Sequence, residues 1–264
     1  MPLHHKKLIP LLAGLTLNIV LAGSAQAALQ GRDLNGSADS FEAYYDTELD
    51  ITWLADANYA QTTGHSVDYA QNPGFSATGG MSWADSKAWV AGLSFSNGVQ
   101  VFDNWRLPTL TPINGVSFQY LDSSDGSTDN GYNVSAPGSV YAGSKASELA
   151  HLFYNTLGNP SYETFSGANS GACSAPNYCL KNVGPFSNVQ PYIYWTDLEH
   201  GAAPSRAWNF ITLDGSQDSD PKSALYGAWA VSSGDIAAPV PEAQTYAMLL
   251  AGLGLLAGVA GRRR

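Results

Sequence analysis

Positive charge is what this sequence has least of. Its 264 residues hold 12 Lys and Arg against 22 Asp and Glu. Five of those cations sit in the two ends, at Lys6, Lys7 and Arg262 to Arg264. Residues 28–239 keep seven cations and 21 carboxylates, so they carry −14, against −10 for the whole chain. Phosphate backbones are held by clustered Lys and Arg, so nucleic acid is excluded as a partner. Divalent cations and neutral sugars are the ligands such a surface admits. Histidine is sparse too: residues 28–239 contain only His65, His151 and His200, far apart in sequence, and nothing points to a triad. There is no G-x-S-x-G, H-E-x-x-H, P-loop or paired C-x-x-C motif. Ser219-Asp220-Pro221-Lys222 formally satisfies S-x-x-K, but that motif needs a helix to set Lys beside Ser, and Pro221 in an acidic loop argues against one. The two cysteines, Cys173 and Cys179, have no further ligand nearby to make a metal site. In an oxidising compartment two such neighbours pair, closing a short loop that adds about 2 kcal/mol.

Long apolar runs are also lacking. The N-terminal one, Leu8 to Gly23, follows the basic start His4 to Lys7 and precedes Ala25-Gln26-Ala27. Charged start, short apolar core and A-x-A end are the order of a secretory signal peptide, with cleavage expected after Ala27. The C-terminal run, Tyr246 to Gly261, has 16 uncharged residues. As a helix it spans about 24 Å, short of a ~30 Å hydrocarbon core. Arg262, Arg263 and Arg264 would hold its end on the cytoplasmic side. Export followed by a transient stay in the inner membrane, as a transmembrane sorting helix, is the reading. The ends thus divide the chain into residues 1–27, 28–239 and 240–264.

What is abundant is aromatic: seven Trp, 14 Tyr and nine Phe. FEAYYDTELDITWLAD alternates about Asp46 to Asp50 and predicts a hairpin. Residues Asn58 to Gly80, rich in Gly, Asn, Ser and Thr, read as loop. MSWADSKAWVAGL predicts a helix with Ser82 as N-cap, Asp85 as capping-box partner and Gly92 near its end. Asn114 to Val140 reads as a second polar loop. SELAHLFYNTLGNP predicts a second helix, with Leu149, Leu152, Phe153 and Leu157 on one face and His151 packed between them. PYIYWTD, RAWNFITLDG and LYGAWAVSSGD predict a closing meander of strands. Early strands, two helices and late strands suggest an α+β domain.

Two groups of residues have the chemistry of a site. Asp122, Asp125 and Asp129 could offer oxygens to a hard cation such as calcium, although their spacing is not that of an EF-hand, and a solvated acidic loop is the plainer reading. Asp197 and Glu199 follow Tyr194-Trp195 at alternate positions and would share a side of an extended chain. With Trp195 they could hold a sugar by stacking and hydrogen bonding.

Val240-Pro241-Glu242, the spacer to Thr245, the Tyr246-Ala247 start, the Leu-Ala-Gly-Leu-Gly-Leu-Leu run and the three arginines resemble a PEP-CTERM sorting signal. Ala243 stands where that signal usually has Pro. The resemblance implies an exosortase-type membrane peptidase as partner, a Gram-negative envelope or matrix as destination, and an association with exopolysaccharide. The body resembles the DUF1566 family, related to the C-terminal domain of legionella collagen-like adhesins. The carrying blocks are LDITWLADANYA, MSWADSKAWVAGL, NWRLPT, SELAHLFYNTLG, GPFSNVQPYIYWTD, AWNFITLDG and GAWAVSSGD. Ser232-Ser233 departs from the basic residue and Pro expected there. That resemblance implies a C-type-lectin-like fold, which does not fix function. Physically the blocks read as framework, with six of the tryptophans on predicted elements and Arg106 paired to a carboxylate. The expectation is a non-enzymatic surface or matrix protein without a required cofactor. An envelope enzyme acting on glycans and a protein-binding adhesin are its rivals.

Overall fold

The computed structural model describes residues 29–37, 40–65, 67–72 and 75–237. The expected signal peptide, with Ala25 and Ala27, and the tail from Val240 to Arg264 lie outside the described residues. Among the described residues no helix is long and apolar enough to cross a membrane.

The chain is mostly β. Strands β1 (Leu29–Arg32), β2 (Ala43–Asp46) and β3 (Ile51–Leu54) open it as an antiparallel meander. The turn between β2 and β3 is the predicted hairpin: buried Asp46 accepts from Glu48 N and Leu49 N, and Asp50 adopts positive φ. Helix α1 (Tyr59–Thr62) and the hairpin of β4 (Val67–Asn72) and β5 (Phe75–Gly80) follow, where a loop was expected. Helix α2 (Trp83–Ala91) matches its prediction: Ser82 Oγ accepts from Asp85 N, and Gly92 closes the helix. A short hairpin of β6 (Phe95–Ser96) and β7 (Val101–Phe102) leads to β8 (Trp105–Arg106).

The expected polar loop from Asn114 to Val140 contains two short strands, β9 (Asp122–Ser123) and β10 (Asn130–Gly131). The second predicted helix starts as α3 (Glu148–His151), capped by Ser147, and widens into a π-helical turn at Leu152–Thr156, with Leu157 N donating to Leu152 O at 2.9 Å. Its face is nonetheless the predicted one: Leu149, Leu152, Phe153 and Leu157 are all buried. Strands β11 (Ile193–Glu199), β12 (Arg206–Ile211) and β13 (Ser216–Pro221) form a meander, and β14 (Val231–Ser233) leaves it for the first sheet. The acidic stretch around Pro221, expected as loop, is therefore strand.

Two five-stranded sheets result, ordered β1-β2-β3-β14-β8 and β11-β12-β13-β10-β9. Three short α-helices and one π-helical turn accompany them among the described residues, so the expected α+β balance shifts toward β. The segment from Tyr226 to Val231 stitches the sheets together. Gly227 N donates to Ile193 O and Trp195 N to Gly227 O beside β11, and Leu54 N then takes Ala230 O beside β3. A Cβ on Gly227 would stand 2.9 Å from the Tyr194 ring, so only glycine lets the strands meet there.

Tryptophans fill the space between. Trp53, Trp195, Trp208 and Trp229 are fully buried, and Trp229 packs edge-on against Trp53 and Phe186 with centroids at 5.1 and 4.9 Å. Truncating such a side chain typically costs about 3–5 kcal/mol. Arg106 pairs in fork geometry with Glu148, both contacts at 2.8 Å, tying β8 to the start of α3 as expected. Its Nε also reaches Ser233 Oγ at 3.4 Å, so the residue at the departing Ser-Ser position still meets this arginine. The cysteines pair as expected, Cys173 with Cys179.

Candidate functional site

The second sheet places one row of side chains side by side across all five of its strands. Residues opposite each other in a ladder share a face. Asp122 on β9 stands opposite Asn130 on β10, Asn209 on β12 opposite Asp218 on β13, and Trp195 on β11 opposite Asn209. Asn130 closes the gap: with its amide turned to donate, it reaches Asp218 Oδ1 at 3.2 Å and Gln217 O at 3.1 Å. Two residues singled out in the sequence, Asp122 and Trp195, thus mark the two ends of one row.

The row is polar in its middle. Asn209 is fully buried; its Nδ2 donates to Asp220 Oδ2 at 3.1 Å, while its Oδ1 is buried without a donor. Asp220 also accepts from the Tyr226 hydroxyl at 2.9 Å, and the Tyr226 ring packs on Trp195 with centroids at 4.7 Å. Burial holds the Asp218 carboxyl above the usual carboxylate range, against the pull of Ser219 N, and the charges of Asp220 and Asp122 add to the rise. Arg206 stands 3.5 Å from Asp220 but gives its guanidinium hydrogens to Ser219 O and Ser219 Oγ. Ser219 is thereby tied to Arg206 and Lys222 to Glu199, so the formal S-x-x-K match makes no Ser–Lys pair.

Further along β11, past an irregularity in its register with β12, lie Asp197 and Glu199. Asp197 pairs with Lys87 at 2.5 Å, and Glu199 pairs with Lys222. Both ammonium groups lie over the Trp83 ring, at 4.6 and 4.5 Å from its centroid. The indole N–H of Trp83 donates to Thr196 O, which fixes the ring. Trp195 cannot be the stacking platform expected of it, because it is fully buried with its N–H on Met81 O. The half-buried Trp83 takes its place beside the two carboxylates, and its position as the first residue of a predicted helix hid this in the sequence.

Asp122, Asp125 and Asp129, the candidate calcium ligands, do not come together among the described residues. Asp129 is buried and accepts from Ile113 N at 2.6 Å and Gln119 N at 2.8 Å, which spends its oxygens on the loop above the sheet. Asp125 folds back on Ser127 N, and Asp122 lies in the row. Among the described residues no three His, Cys, Asp or Glu converge as a metal site. His151 is packed, its Nδ1 on Ser144 O. Two other surfaces bear on recognition. A cleft of about 780 Å³ is lined by Tyr59, His65, Met81, Trp89 and Phe95, with Ser82 and Asp85 engaged in the α2 cap. Tyr120, Tyr162 and Phe165 are exposed aromatics; Glu163, between the last two, accepts from Ser124 Oγ.

What delivers this body is decided at the other end of the chain. Residues 239–264 match the PEP-CTERM protein-sorting motif. The PEP-CTERM segment makes the chain an exported protein addressed to an exosortase, a membrane protein, and so to the cell surface of a Gram-negative bacterium. It covers Val240, Pro241, Glu242 and the three terminal arginines, and Ala243 does not prevent the match. No curated protein and no solved structure matches the chain.

Proposed function

We propose that the delivered body is a non-enzymatic surface or matrix protein that binds the exopolysaccharide around the cell. The single observation behind this is the pairing of a PEP-CTERM segment with a body in which the half-buried indole of Trp83 on α2 lies beside the Lys-paired carboxylates of Asp197 and Glu199 on β11. Sugars are held by such mixtures of acceptors and aromatic faces. The resemblance of the body to DUF1566 domains, with its C-type-lectin-like fold, supports the same reading. The rival, an enzyme acting on glycans with Asp197 and Glu199 as acid and base, is disfavoured because each carboxylate is engaged by a lysine, Lys87 or Lys222.

Co-sedimentation of the exported protein with the polysaccharide of its own cells tests this. We expect binding that survives chelator, and an unchanged polysaccharide chain length after incubation. Binding abolished by chelator would make the contact metal-bridged, and shortening of the polymer would favour the enzyme. No sedimentation with or without calcium would end the proposal and leave protein adhesion as the reading to pursue.

A further inference from the structure

The polar row of the second sheet has its amide hydrogens already spent within it, and residues 28–239 have few cations left to offer. Of the seven Lys and Arg in residues 28–239, five are paired with carboxylates: Arg32, Lys87, Arg106, Arg206 and Lys222. A sixth, Lys181, gives its ammonium to Ser174 O and Ser174 Oγ. An anionic polymer would therefore meet a body at −14 with its positive charge already engaged. The charge balance selects a neutral or a cationic glycan.

The row chooses between those two. Asp218 and Asp220 alternate along β13 on one face, with Asp122 at the edge, and Arg206, bonded to Ser219, reaches only Asp220 of the three, at 3.5 Å. Asp220 already meets Arg206, the Tyr226 hydroxyl and the Asn209 amide, whereas Asp218 accepts from Ser219 N and Asn130 and has no ion pair among the described residues; an ammonium would supply that counter-charge, and a neutral sugar would not. The second sign is Asn209. It is fully buried, its amide hydrogens point to Asp220, and its carbonyl oxygen has no donor. A buried acceptor without a donor is costly unless something supplies the hydrogen. An ammonium has three to give. Tyr226 and Tyr192, with ring centroids 6.0 Å apart, add aromatic surface beside the acceptors for the apolar face of a sugar ring. A divalent metal fits less well, because no three carboxylates or imidazoles converge among the described residues.

We propose that the row formed by Asp218, Asn209 and Asp220, walled by Tyr226, binds a glycan carrying free primary amines, with an ammonium seated among the two carboxylates and the Asn209 carbonyl oxygen. The proposal rests on the reading that the exported body binds matrix polysaccharide, and it adds the site and the sugar class.

The probes are the glucosamine trisaccharide and its N-acetylated counterpart, titrated calorimetrically into the exported protein at physiological salt. Short oligomers keep avidity from masking single-site differences. The amine form should bind at least about tenfold tighter, the scale of one charge-assisted contact. Asp218→Asn and Asp220→Asn should each weaken it by about tenfold. Asp103→Asn, which removes an exposed carboxylate between β7 and β8, should change it by less than about twofold. Should Asp218→Asn fail to fold, the more exposed Asp220→Asn carries the comparison. Equal binding of the two trisaccharides would overturn the proposal. So would an Asp103→Asn loss as large as the Asp218→Asn loss, since that is general attraction to an acidic protein. If neither trisaccharide binds while the native polysaccharide still co-sediments, the row is wrong and the matrix reading stands. If the amine form binds through the row but the native polysaccharide does not co-sediment, the row stands and the matrix reading falls.

Discussion

The carboxylate of Asp129 accepts from two backbone N–H groups of the loop above the second sheet, Ile113 N and Gln119 N. Residues 113–119 have no strand of their own, yet Phe118 and Tyr120 pack over Trp208, with Phe118 at 5.7 Å and Tyr120 at 6.0 Å between centroids. Both anchors of that path, Ile113 N and Gln119 N, end on Asp129. Asp129→Ala leaves the two donors unmet and should cost about 3 kcal/mol. That is a fall in Tm of roughly 10 °C for a domain of this size, read by thermal melting. A change below about 1 kcal/mol would show that the loop is held by its aromatic contacts instead. Spacing alone suggested that Asp122, Asp125 and Asp129 might share a cation. It failed because the destination of a carboxylate depends on which N–H groups the folded loop brings to it. Arg106 was legible for the opposite reason: a guanidinium amid apolar residues has to find a carboxylate wherever the chain goes, and Glu148 is that partner.

At the scale of elements, α2 was readable from its cap and can be tested there. Ser82 Oγ accepts from Asp85 N and donates to the Asp85 carboxylate at 2.6 Å. Ser82→Ala should cost about 1 kcal/mol. It should also loosen the Trp83 ring that Lys87 and Lys222 cover, so tryptophan fluorescence near the second sheet should shift with it. A loss of stability with unchanged emission would mean that the cap and the Lys–Trp–Lys stack are independent. The elements that were missed share a cause. Strand β13 reads Ser-Gln-Asp-Ser-Asp-Pro and has no apolar alternation to announce it; it forms because β12 pairs with it along its whole length. Strands β9 and β10 are two residues each and exist only as partners of that sheet. The face of α3 was correct although its geometry was not, because burial of Leu149, Leu152 and Phe153 fixes the pattern while the π-helical turn shifts only the hydrogen bonds. The row of Asp122, Asn130, Asp218 and Asn209 was invisible for the same reason as β13: it is assembled by register between strands, not by spacing within one.

For the whole molecule the decisive quantity is its acidity. Burial raises the carboxyls of Asp46, Asp129, Asp214 and Asp218 above the ordinary value of 3.8. A carboxyl raised in the folded state holds its proton more tightly there than in the unfolded chain. Its contribution is therefore largest when protonated and is lost as pH rises through the folded value. Asp125, lowered chiefly by its hydrogen bonds from Ser127, acts the other way, but it is a single group. Lowering pH also removes repulsion from a body at −14. The expected outcome is a Tm that climbs as pH falls from neutral toward the window just above 3.8, checked by melts in buffers of equal ionic strength. A Tm that falls steadily over the same range would mean that the four buried carboxyls do not set the acid side of the stability curve.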